Sequence, residues 1–121
     1  MTPLLVFLGA GTGGVLRHLM SLAVARHLGM GFPYGTLAVN ISGAFALGLL
    51  AGFLASHNAA NTTLRPLLAT GLLGGFTTFS AFSLETVTLL ERHQPALAVA
   101  YVLASVAGGL LALALGLRLG R

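Results

Sequence analysis

Phe79, Phe82, Ser83 and Thr86 stand at i, i+3, i+4 and i+7, which puts two rings and two hydroxyls on one face of a helix. The edge of a phenyl ring is electropositive and its face negative. Ring edges alternating with hydroxyl donors can therefore replace part of the hydration shell of a small anion. They do so without a fixed positive charge, which would hold the ion too tightly for fast conduction. The same residues also have a plainer use, with rings filling a core and hydroxyls bonded back to helix carbonyls. Both uses are open on the sequence alone.

This face belongs to TGLLGGFTTFSAFSLE, Thr70 to Glu85, a polar stretch inside a long apolar segment. Polar groups at membrane depth are costly and tend to be functional. The adjacent Gly74 and Gly75 suggest a broken helix, which is tolerated there only inside protein or facing a cavity. A break over Gly74 to Thr77 frees backbone carbonyls, which suit a monovalent cation such as Na⁺. Two copies meeting at a two-fold axis bring four such carbonyls to one ion, unless neighbouring hydroxyls or water take them. Ser80 and Glu85 complete the polar part of the stretch, and the role of Glu85 is open.

Other candidates lie outside it. Asn40 places an amide inside an apolar segment, where its N–H donors suit an anion or a carbonyl of another helix. Arg17 either snorkels to the interface or makes a positive vestibule that attracts anions. Tyr101 and Ser105, at i and i+4, share a helix face.

The elements that must position these groups are membrane helices. Only 7% of the 121 residues are charged and 56% are hydrophobic, against about 25% charged in soluble domains. Segments of about 20 apolar residues span a bilayer, and four fit: about 3–26, 34–56, 65–91 and 95–118. They make one four-helix transmembrane unit over 1–121, all-α, with the third helix broken near its middle. GMGFPYG (Gly29 to Gly35) reads as a turn and SHNAANTT (Ser56 to Thr63) as the most polar loop. The net charge of +4 comes from six scattered arginines, not a nucleic-acid-binding patch. With no cysteine, disulfides and thiolate metal sites are excluded.

Four crossings put both termini on one side. Arg65, Arg118 and Arg121 then fall on that side and Arg17, Arg26 and Arg92 on or toward the other, three against three. Orientation follows such a bias, and here there is none, which leaves open insertion both ways and an antiparallel dimer of identical chains, against the plainer reading that so few arginines carry no signal. Small residues at i and i+4 supply close packing: Gly9 and Gly13, then Ala44, Gly48 and Gly52, then Gly108 and Ala112. Gly9 to Gly14 satisfies GxGxxG, but it lies inside an apolar helix with no acid before Glu85, so a dinucleotide site is discounted. The sequons Asn40-Ile41-Ser42 and Asn61-Thr62-Thr63 carry no information without a source. His18, His27, His57 and His93 share no ligand spacing, and no nucleophile–base pair is visible, so an enzyme is not expected.

GGVLRH (Gly13 to His18), GTLAVNISGAFALG (Gly35 to Gly48) and GLLGGFTTFSAFSLE (Gly71 to Glu85) together resemble the Fluc, or CrcB, family of fluoride channels. The likeness extends over essentially the whole chain in length, helix layout and motif order. It implies a dual-topology antiparallel homodimer in a prokaryotic inner membrane, with two pores that pass fluoride passively and relieve its toxicity. It implies pore roles for Phe79, Phe82 and Asn40, with Ser80, Ser83, Tyr101 and Ser105 as further pore positions and Arg17 at a vestibule. It also implies a structural Na⁺ at the dimer interface, held by the carbonyls of Gly74 and Thr77. Ala81 departs from the pattern, which usually has threonine there. A proton-coupled small multidrug exporter has the same size, but needs an acid in the first helix, where there is none. A non-transporting scaffold leaves the polar third helix unexplained.

Overall fold

The computed structural model describes residues 1–29, 31–56 and 64–121. His57, the Asn61 sequon and nearly all of the polar loop expected over Ser56 to Thr63 lie outside the described residues, as does Met30 of the turn. Helices account for nearly everything described, with no strand among those residues. α1 spans Thr2–Leu28 and α2 Tyr34–Ser56; α3 spans Arg65–Leu73, α4 is the single turn Gly74–Phe76, α5 spans Phe79–Glu91, and α6 spans Pro95–Gly120. α3 to α5 form one interrupted span, so among the described residues four segments are long and apolar enough to cross a membrane. The first and last run one or two residues beyond their expected ends.

Local chemistry accounts for the helix ends. Proline opens α1, α3 and α6, where its missing N–H has no helical partner to lose. Gly29, at φ 80°, closes α1 in a backbone conformation that side chains disfavour. After α5, His93 at φ 59° makes the turn. Its N–H donates to the Leu90 carbonyl at 3.1 Å and that of Gln94 to Leu89 at 3.0 Å, the paired closure that satisfies final carbonyls and frees the chain to reverse. α3 is wound wider than an α-helix, the Gly74 N–H reaching five residues back to the Ala69 carbonyl.

Two seams of small residues join the helices. α2 crosses α6 where Gly48 and Gly52 meet Gly116 and the backbone from Leu113 to Arg121. α1 crosses α3 and α4 where Gly9 and Gly13 face the backbone of Leu67 to Phe76, and Gly75 faces Ala10. Gly108 meets the Ile41 side chain. These contacts are needed because lipid is as apolar as leucine, so helices associate through close packing and not through exclusion of water. The buried cluster is small: Leu89, Ala98 and Tyr101, ringed by Phe32, Leu37 and Phe82. Phe7, Leu103, Leu110 and Leu111 are all more than 60% exposed, as suits side chains that face lipid or another chain.

The glycine pair does not itself open the third span. Gly74 and Gly75 are helical, and the extended residues are Thr77 (φ −82°, ψ 159°) and Thr78 (φ −150°, ψ 125°). Gly75 serves close approach instead, since a Cβ there would stand 2.5 Å from the Ala10 carbonyl oxygen. A side chain at Gly13 would run into the Leu72 carbonyl and stand 2.8 Å from the Phe76 nitrogen, whereas Gly11 has nothing within 4 Å. Gly13→Val should therefore cost about 1–3 kcal/mol or more in detergent unfolding, and Gly11→Ala should be neutral within about 0.5 kcal/mol. Equal unfolding midpoints for the two variants would sink the close-packing account.

Candidate functional site

The site is built around the interruption at Thr77 and Thr78. An extended pair inside a span strips neighbouring backbone groups of helical partners, and each buried orphan costs about 1–3 kcal/mol. Asn40, half-buried on α2, meets this need with both ends of its amide. Its Nδ2 donates to the Thr78 carbonyl at 2.9 Å, and its Oδ1 accepts from the Thr78 N–H at 2.8 Å. The Thr78 hydroxyl then caps α5, accepting the Ala81 N–H at 3.2 Å and lying 3.3 Å from Ser80 Oγ. Thr77 Oγ1 donates to the Leu73 carbonyl at 3.1 Å.

These bonds have a consequence four residues back. In an unbroken helix the Thr78 N–H would go to the Gly74 carbonyl, and the Ala81 N–H to the Thr77 carbonyl. Here Asn40 takes the first and the Thr78 hydroxyl takes the second. The Gly74 and Thr77 carbonyls are thus the two whose helical donors are visibly diverted. The interruption also places the positive N-terminal end of the α5 dipole beside Phe79 and Ser80. Sequence reading did not note that feature, although Thr78 followed by a helical run signals such a cap.

On the outer face of α5, Phe79 is 79% exposed. Its ring centroid lies 5.7 Å from that of Phe82, which lies 5.2 Å from Tyr101, itself edge-on to Phe32 at 5.6 Å. The rings form a chain from the surface inward, so Phe79 fills no core within this chain. For the hydroxyls the structure shows the plainer of the two uses. Ser83 donates to the Phe79 carbonyl at 3.0 Å and Thr86 to the Phe82 carbonyl at 2.8 Å. Their protons are spent on their own helix, as hydroxyls do in apolar surroundings. Only their lone pairs face outward.

Glu85 is tied between two helices. Thr36 of α2 donates to its Oε1 at 2.7 Å, and the fully buried Tyr101 of α6 donates to its Oε2 at 3.2 Å. Tyr101 therefore parts from Ser105, whose buried Oγ has no partner among the described residues. Thr36 was missed by sequence reading. Its position four residues before Asn40, on the same face of α2, was the available signal.

A cavity of about 520 Å³ lies among α1, α2 and α5, with Arg17, Thr36, Thr78, Ala81, Glu85 and Arg92 in its wall. Ala81 thus faces this cavity and not the Phe79–Phe82 face, so the hydroxyl lacking at position 81 is lost from the cavity wall. Arg17 does not snorkel to the near end of its helix. Its Nη2 lies 4.0 Å from where a Gly14 Cβ would stand, so the side chain runs back toward the middle of α1. Leu28, the end of α1, is 28 − 17 = 11 residues on, about 16 Å away along the axis. An arginine at that depth needs water or a partner, and the cavity gives water a way in. The structure therefore brings Arg17 and Glu85 to one cavity floored by the Asn40–Thr78 bonds, and Phe79, Phe82 and Tyr101 to one aromatic row. His18 lines the cavity, but His27 and His93 do not.

Comparison with known proteins gives this arrangement its relatives. Residues 4–117 match the model of the CrcB-like protein, Camphor Resistance (CrcB) family. A protein of Chelativorans sp. (strain BNC1) named fluoride-specific ion channel FluC is 55% identical over 118 residues, covering 98% of this chain and 94% of the relative. Proteins of the same name from Methylobacterium nodulans and Rhodopseudomonas palustris (strain BisB5) are 53% and 48% identical. These cover 91% and 100% of this chain, and 88% and 98% of the relatives. With four apolar spans, an interrupted third and a family match over nearly its full length, the chain belongs to the CrcB family.

Proposed function

We propose that this protein is a fluoride channel that lets the anion leave the cytoplasm passively, down its electrochemical gradient, and so relieves fluoride toxicity. It is a multi-pass membrane protein and not an enzyme. The observation that carries the reading is relatedness near 50% identity over almost the whole chain to fluoride-specific ion channels, joined to a third span broken at membrane depth beside an aromatic row. Neither competing reading draws support: the only acids are Glu85 and Glu91, so α1 lacks the carboxylate that a proton-coupled drug exporter needs.

Fluoride is small and strongly hydrated, so a pore must replace water without gripping the ion. The electropositive edges of Phe79 and Phe82 and the N-terminal end of α5 do this weakly and without formal charge. Asn40 keeps one N–H beyond the bond to Thr78, which can face the path. Ser80, Ser83, Tyr101 and Ser105 line further steps. With their protons engaged on carbonyls or on Glu85, Ser83 and Tyr101 act through ring or shape until the ion draws a hydroxyl round. Ser105, whose Oγ has no partner among the described residues, offers a hydroxyl not already engaged. Arg17 supplies a vestibule.

The working unit is an antiparallel dimer of identical chains in the inner membrane. The even arginine distribution removes any preferred orientation, and the exposed apolar helix faces leave room for a second copy. A structural Na⁺ fits the carbonyls of Gly74 and Thr77, whose helical donors are diverted and which carry no charge to over-bind it. It would hold the two third spans together at the dimer axis.

Purified protein in liposomes should release fluoride, read by electrode, while retaining chloride; a folded dimer that releases neither would overturn the reading. Phe82→Ile should lower that flux about five- to tenfold, the loss of roughly 1 kcal/mol of ring interaction, with the dimer intact. Unchanged flux would remove the ring-edge argument. Replacing Na⁺ by N-methylglucamine throughout should dissociate the dimer or abolish flux, and if both persist the carbonyls hold no structural sodium. A C-terminal cysteine, unique in a cysteine-free chain, should label from both sides of the membrane. Labelling from one side alone would exclude dual topology.

A further inference from the structure

We infer that Arg92, at the mouth of the cavity that Arg17 reaches from below, collects anions for the channel. Two guanidinium groups share this wall with a single carboxylate. That carboxylate, Glu85, has one oxygen engaged by Thr36 and the other by Tyr101, so it is turned toward neighbouring helices. Glu91, one residue from Arg92, does not line the cavity. The cations stand at different depths. Arg92 follows the last residue of α5, while Arg17 lies about 16 Å below the end of α1. A positive rim above a deeper positive group, between apolar walls, focuses the field along the cavity axis and raises the local anion concentration. Arg26 lies at the same end of the molecule, in the last turn of α1, but outside the cavity wall. Ordinary closure of a helix end or attraction to lipid phosphates would apply to both arginines; focusing applies to Arg92 alone.

The inference rests on the fluoride-channel reading, and two measurements separate their failures. The first is fluoride efflux from liposomes at one fixed pH, in low and in high concentrations of an impermeant organic-anion salt. Arg92→Gln should slow efflux about two- to threefold at low ionic strength and not at high, where the field is screened. Arg92→Lys should restore it, and Arg26→Gln should leave it unchanged. A loss that is the same at both ionic strengths, or shared by Arg26→Gln, overturns the inference. The second needs no flux. The chain has two tyrosines and no tryptophan. Tyr34 lines the cavity and is 40% exposed, while Tyr101 is fully buried. Iodide should therefore quench Tyr34 fluorescence less well in Arg92→Gln, by about twofold, with quenching by neutral acrylamide unchanged. If iodide quenching does not fall, the cavity is not a collecting field, whether or not the protein conducts. If iodide quenching falls but the unmodified protein passes no fluoride, only the channel reading fails.

Discussion

One side chain makes the interrupted span possible. Within a bilayer, an extended pair of residues leaves backbone groups that water cannot satisfy. Asn40 answers with a donor and an acceptor at once, both aimed at Thr78. An amide is the shortest side chain that can do this; a hydroxyl offers one site at a time and a carboxylate no donor. Held in this way, Thr78 can cap α5. The break then diverts the helical donors of the Gly74 and Thr77 carbonyls and places a helix start at Phe79. The interruption and the helix start after it thus follow from one bidentate contact between α2 and the third span.

That contact fixes the break but not the helices that carry it. Their positions come from the two glycine seams, α1 against α3–α4 and α2 against α6. Close backbone approach matters doubly here, because so little of the chain is buried and large apolar side chains point outward. The Thr36–Glu85–Tyr101 bonds then tie α2, α5 and α6 about two turns beyond the break. The segment after Thr77 is thereby held at two points, by Asn40 at Thr78 and by Glu85 about two turns further along α5. A carboxylate is costly in such surroundings unless it is fully bonded, and two donors from two helices make it a tie.

Much of this was legible in the sequence because membrane helices announce themselves by length and polarity. The four spans, the interrupted third and the prominence of Asn40 all followed from where polar residues interrupt apolar ones. What was not legible depends on direction. Gly74 and Gly75 were read as the break, yet small residues serve both breaking and close approach, and only the neighbouring Ala10 shows which. Ser83 and Thr86 share a face with the phenylalanines, but a hydroxyl rotor can turn to its own helix, and these do. Glu85 finds partners 49 and 16 residues away in sequence, a pairing that helical periodicity cannot carry. Arg17 was placed at a vestibule by resemblance; that its guanidinium runs inward depends on the rotamer over Gly14.

The charged and uncharged groups are divided by face, the arginines lining the cavity and Phe79 and Phe82 standing outside it, and the division has a physical logic. A fixed cation beside the path at its narrowest point would bind a small anion strongly in a low dielectric and slow its exit. The aromatic row around Phe79 and Phe82 carries no formal charge. Arg17 and Arg92 stand instead around a cavity of about 520 Å³, many times the size of a fluoride ion and roomy enough to admit water. On the proposed reading, concentration would be raised where the ion is still hydrated, and dehydration left to weak, numerous partners. Asn40 joins the two regions, since the Thr78 it holds floors the cavity and also starts the helix that carries the rings.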